Sequence, residues 1–165
     1  MSTEAKHLAE GLETYFTNPD HGWFQAFVTA VSGLTAEQAA KVPAERFNSV
    51  WAVVNHVRYW TDFMRLRMLG QKVDPEALGG NDGWPLPADP PTEAAWQAAV
   101  AAAVTSVETA AAAIAKFTAK ELNAAPAEGW PIRAQVVQGM LAHNSYHTCE
   151  IITIRHMQGL WLEHT

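Results

Sequence analysis

Cysteine is almost missing: Cys149 stands alone in 165 residues. A single thiol cannot close an internal disulfide, which excludes a cystine-stapled secreted scaffold and points to the reducing cytoplasm. Cations are scarce too, with 11 Lys plus Arg against 17 Asp plus Glu and a formal net charge of −6. Phosphate binding works through clustered cations that displace counterions, so neither nucleic acid nor an anionic membrane is expected as a partner. No apolar run approaches the ~20 residues of a membrane span. The opening Met1-Ser2-Thr3-Glu4-Ala5-Lys6 lacks the apolar stretch of a signal peptide. β-branched alternation is nearly absent, which removes a sheet from consideration. These absences predict a soluble, acidic, cytoplasmic protein, one domain over 1–165, long enough to bury roughly two-thirds of its unfolded surface.

What the sequence does have is helical periodicity. An amphipathic stretch over about 4–17 runs into the break Asn18-Pro19-Asp20. Trp23, Phe24, Phe27, Val28 and Val31 then recur at three- and four-residue steps, up to Gly33. Thr35-Ala36-Glu37-Gln38 resembles a cap and first turn. A longer helix opens at Asn48 or Ser49 and stops at Gly70, with His56 inside the apolar stripe of Val53, Trp60 and Phe63. Residues 71–91 are too rich in Pro for helix and too isolated for sheet. An Ala-rich helix follows from Thr92 to about Phe117, with Val100, Val104, Val107, Ala111 and Ile114 on its seam. After Asn123, Pro126 and Gly129, the last helix starts at Pro131 and runs to about Gln158, stopped by Gly159.

Four long helices and no strands predict an all-α four-helix bundle. The 71–91 connection can stretch to roughly 70 Å, against about 30 Å for a helix of that length. It can therefore return along the whole bundle and start the third helix parallel to the second. That favours an up-down-down-up order over antiparallel neighbours joined by a short loop.

The chemistry sits in Met140-Leu141-Ala142-His143-Asn144-Ser145-Tyr146-His147-Thr148-Cys149-Glu150. His143 and His147 differ by about 40° around the helix and about 6 Å along it, so their rings can converge on one metal ion. Val136, Met140, His143, His147, Glu150 and Ile154 step by fours and threes along the core-facing stripe. Buried polar groups there cost several kcal/mol unless paired or metal-bound. A bundle that closes the second long helix on the last brings His56 to the pair. Three neutral imidazoles leave a divalent ion at least one open position, the arrangement of catalytic sites.

Glu150 faces the same side and has several roles open to it: fourth ligand, acceptor orienting an imidazole, general base on bound water, or the partner of an Arg or Tyr in the core. Cys149 lies about 200° around from His147 and reads as a small packing residue. Tyr59 and Trp60, one turn past His56, are candidates for a pocket wall as well as for core. Arg155 reads as a salt bridge at the bundle end or a contact between copies, and Arg58 as solvated. His21 sits at a helix start and reads as an exposed loop histidine, with an approach to the site as the alternative, and His7, His156 and His164 read as surface.

With these residues in view, the chain resembles the DinB/YfiT-like superfamily of four-helix bundles. The likeness is carried by Ser49-Val50-Trp51-Ala52-Val53-Val54-Asn55-His56-Val57-Arg58-Tyr59-Trp60 and by His143-Asn144-Ser145-Tyr146-His147-Thr148-Cys149-Glu150-Ile151. Ile154-Arg155, Gly159-Leu160-Trp161, His21-Gly22-Trp23 and Leu34-Thr35-Ala36-Glu37-Gln38-Ala39 extend it over nearly the whole chain. The resemblance implies a metal triad on His56, His143 and His147. It implies one divalent ion, zinc first, with nickel, iron and manganese as alternatives. It also implies small-molecule chemistry, by a hydrolase or by a transferase that uses a low-molecular-weight thiol as cosubstrate. A homodimer is implied as well, with Trp84, Trp130 and Trp161 as candidate contacts. Cys149 and Glu150 depart from the Gly-Gln pair that commonly follows the second histidine in that superfamily. The expectation is a metal-dependent enzyme with Glu150 as candidate catalytic residue. The alternative is a non-catalytic metal- or ligand-binding bundle.

Overall fold

A computed structural model describes residues 2–20 and 25–162, so the expectations placed on His21, Trp23, Phe24 and His164 lie outside the described residues. Among those residues there are seven α-helices and no strand: α1 Thr3–Thr17, α2 Phe27–Val31, α3 Ala36–Ala40, α4 Val50–Met68, α5 Glu93–Ile114, α6 Ala119–Leu122 and α7 Arg133–Met157. The four long ones, α1, α4, α5 and α7, make the bundle.

Each long helix buries the face its spacing dictates. On α1 the buried residues are Ala5, Ala9, Leu12 and Phe16, four, three and four apart. Ser49 caps α4 by accepting from the Ala52 N–H at 3.1 Å, and Thr92 caps α5 by accepting from Ala95. At Gly70 and Gly159 the chain turns into positive φ, where glycine alone is unstrained. Gln71 and Leu160 then reach back to the Leu66 and Arg155 carbonyls and close the helices.

Helix directions follow from who meets whom. Trp51 meets Trp96, and the Ser106 hydroxyl donates to the Arg58 carbonyl, so α4 and α5 run parallel. The Asn48 amide reaches Glu150 and Arg133 reaches the Met68 carbonyl, so α4 and α7 are antiparallel. The Ser2 N–H donates to Phe117, placing the start of α1 at the end of α5. The order is up-down-down-up, and α4 and α1 each lie between α5 and α7.

Several boundaries and placements differ from those expected. The first helix of the 27–31 region is only five residues long. α5 stops at Ile114, and Phe117 lies buried past its end. Val100 and Val104 are half-buried; Trp96, Ala103 and Ala110 take the seam, because α5 contacts two neighbours and its buried face is broader than one stripe. α7 begins at Arg133, with Ile132 as its cap residue and Pro131 still outside. The 118–130 connection contains α6, set by the reciprocal hydrogen bonds of Thr118 and Glu121. The 71–91 connection holds two single 3₁₀ turns, Glu76–Leu78 and Asn81–Gly83.

α5 is long and apolar enough, by length and composition, to cross a membrane, although in this fold it lies against α1 and α4. Its Ala methyls raise the mean hydropathy without a single long apolar run. Arg155 is buried rather than salt-bridged: it donates to the Ala30, Ser32 and Leu160 carbonyls, tying the α2 end to the α7 end. Arg58 is half-buried and donates to the Leu78 carbonyl at 2.7 Å, pinning the 71–91 connection to α4. His156 is half-buried with its ring stacked on Trp161, whereas His7 is exposed.

Candidate metal centre

α4 and α7 are antiparallel and adjacent, which brings one position of α4 level with two positions of α7. His56 is buried on α4, and His147 is buried on α7 one turn after the half-buried His143. The three rings lie 4.5–5.2 Å apart by centroid. One ligand nitrogen from each falls within 4.8 Å of the other two. The His56 and His143 Nε2 atoms are 3.3 Å apart. Two imidazole nitrogens sharing one zinc-sized ion at about 2.05 Å, in near-tetrahedral geometry, stand roughly 3.3–3.4 Å apart. The residues fit a divalent ion.

The far nitrogens of two rings are tied off. His56 Nδ1 is 2.7 Å from the Gly83 carbonyl, which can only accept, so Nδ1 carries the proton and Nε2 presents its lone pair. His147 Nδ1 donates to Glu150 Oε2 at 2.7 Å, which leaves its Nε2 free in the same way. His143 Nδ1 lies 3.4 Å from the Asn144 amide oxygen. Such outer contacts fix tautomer and ring orientation in metal sites.

Protonation favours the same state. Burial pushes the His56 pKa down to about 4, and desolvation with the neighbouring His147 holds His143 below its ordinary value. Both rings are therefore neutral near pH 7, as ligation requires. The Glu150 carboxyl is held below the usual carboxylate range by its hydrogen bonds to His147 and Asn48.

Glu150 stands outside the three-nitrogen cluster, with both oxygens engaged: Oε2 by His147 and Oε1 by the Asn48 amide at 3.0 Å. Cys149 points away from the site, as its helical angle required, but it is exposed to solvent rather than packed. Trp60 borders the site edge-on to His56, while Tyr59 is buried beside it.

Three contributors escaped the sequence reading. Asn48 looked only like a cap candidate; Ser49 takes the cap, which frees Asn48 for Glu150. Trp84, expected at a contact between copies, stacks on His56 with centroids 3.7 Å apart. Gly83 supplies the carbonyl for His56, and a Cβ there would meet Trp60 Nε1 at 2.7 Å, at a φ of +85°. A glycine two residues before a proline in a long connection was the one visible signal.

A family model described as the DinB superfamily matches residues 20–150, which include every residue of this centre. No curated protein and no solved structure matches the chain.

Proposed function

The chain belongs to the DinB superfamily, and from that membership together with the imidazole cluster we propose a divalent-metal-dependent enzyme acting on a small molecule, either a hydrolase or a thiol-dependent transferase. One observation carries it: three imidazole nitrogens from two helices converge within 4.8 Å of one another. Two of those rings have the other nitrogen already committed to an acceptor.

His56, His143 and His147 would hold the ion. A divalent cation with an open position supplies Lewis acidity toward a carbonyl, or toward the proton of a water or thiol. Zinc heads the candidates, and nickel, iron or manganese suit imidazole as well. The low-molecular-weight thiol cosubstrate belongs to the transferase form of the proposal. Of the roles open to Glu150, orienting His147 is the one its contacts support, and Asn48 holds it in place. Trp84 covers one face of His56 and excludes water from that side. A homodimer and a cytoplasmic setting belong to the same proposal; of the three tryptophans expected at a contact between copies, Trp84 and Trp130 are half-buried and Trp161, 69% exposed, is left for a second copy.

Protein purified without a histidine tag should carry about one divalent metal per chain by elemental analysis, and His143→Ala should remove it. Unchanged metal content in that variant refutes the proposal. The 3.3 Å between the His56 and His143 Nε2 atoms also suits an N–H···N hydrogen bond, which favours a second reading of a metal-free, non-catalytic bundle. That reading predicts no stoichiometric metal in the unmodified protein.

A further inference from the structure

Beside the histidines, between the C-terminal half of α4 and the N-terminal half of α7, lies a half-open cavity of about 520 Å³. That volume falls in the range of sites that hold small organic molecules, roughly 300–1,000 Å³. Trp60, Met64, Trp130, Val136 and Met140 are apolar parts of the wall, and among the described residues no Asp, Glu, Lys or Arg lines it. His143 is part of that wall, and of the three imidazoles it alone is not buried. The approach to the cluster is therefore from the cavity. Resting on the metal-site proposal above, we infer that this cavity holds the uncharged aromatic or branched-aliphatic body of a substrate whose reacting group faces the metal centre, and that Gly139 sets the size admitted.

The chemistry of the wall defines that class. Away from the histidines, an ionised group would lose its hydration with no opposite charge among the described lining residues to replace it. The Thr61 hydroxyl and the Asn144 amide nitrogen belong to wall residues but are themselves buried behind the surface, without a hydrogen-bond partner among the described residues, and so give an ionised group no help either.

Gly139 makes the test clean. It is helical, it lines the cavity, and a Cβ added there meets nothing within 4 Å. Leucine at this position gains helix propensity, so Gly139→Leu should not unfold the chain. Its side chain leans toward the helix N-terminus, away from His143 one turn later.

The experiment titrates 2-naphthol and naphthalene-2-sulfonate into cobalt(II)-loaded and metal-free protein by calorimetry, and follows the visible cobalt absorption. In metal-free protein naphthol should bind one per chain at least about tenfold more tightly than the sulfonate, and in cobalt-loaded protein it should shift the cobalt spectrum; tenfold is the effect of one modest lost contact. Gly139→Leu should weaken naphthol about tenfold or more, with unchanged helical circular dichroism and unchanged cobalt content. Equal naphthol affinity in Gly139→Leu, sulfonate binding to metal-free protein as tight as naphthol, or naphthol binding without any change at cobalt would each overturn the inference. A chain that takes up no cobalt or zinc sinks the metalloenzyme proposal instead, and the metal-free titration of Gly139→Leu still judges the cavity.

Discussion

Along α1 and α5 the buried positions are Ala5, Ala9, Leu12 and Phe16 on one helix and Trp96, Ala103, Val107, Ala110, Ala111 and Ile114 on the other, with Ser106 the single buried polar residue. Along α4 and α7 burial extends to His56, Thr61, Asn144, His147, Thr148 and Arg155. The two helix pairs belong to one bundle and obey the same spacing, yet they do different work. The small side chains of the first pair let helices approach closely and remove apolar surface from water, the term that holds the fold. The second pair places groups whose burial is costly unless each finds a partner. The first region makes the second affordable, and the two should respond separately to substitution.

The widest separation is expected for Leu12→Ala. Leu12 is 1% exposed, and truncating a leucine in such a site costs about 2–5 kcal/mol through lost transfer free energy and the void left behind. Urea unfolding should show the lower midpoint, while metal content per folded chain stays as in the unmodified protein. Loss of metal along with stability would mean that the two helix pairs are one energetic unit. Glu150→Gln probes the opposite side with a smaller effect. The carboxylate that orients His147 becomes a neutral amide, and removal of such a partner weakens metal binding about 10–100-fold, on the order of 1.4–2.7 kcal/mol. Competition against a chromophoric chelator measures it. Unaltered affinity would remove Glu150 from the orienting role.

The same division explains what could be read from the residues alone. Periodicity sees one helix at a time, so the stripe of Val136, Met140, His143, His147 and Glu150 was legible, and with it the pair of histidines. His56 became part of the site through the expectation that two helices close on each other and through the family resemblance, not through any period of its own helix. The length of the 71–91 connection revealed the parallel α4 and α5, because loop length limits where a chain can return. It did not reveal that Trp84 stacks on His56 or that the Gly83 carbonyl holds its Nδ1. Those contacts depend on the path of an irregular segment, which has no period to detect. Arg155 escaped for a related reason: its acceptors are the carbonyls of Ala30, Ser32 and Leu160, and a backbone carbonyl carries no residue-type signal.

Thr61→Val is the smallest and most discriminating change, because it converts one position of the polar region to the rule of the apolar one. Thr61 is 1% exposed, and its hydroxyl has no hydrogen-bond partner among the described residues. A buried hydroxyl left unpaired has lost its water without replacement, a penalty of about 1–3 kcal/mol. Valine keeps the β-branched shape while replacing the oxygen with a methyl group, so the helix backbone has no reason to change. Stability should rise by about 1 kcal/mol, the low end of that penalty, since the methyl must also fit. Metal content should not move, because Thr61 lies outside the three-nitrogen cluster. A thermal or urea midpoint that falls in this variant would show that the hydroxyl does have a partner in solution. The polar side of the bundle would then be internally satisfied at this position rather than left with an unpaired group.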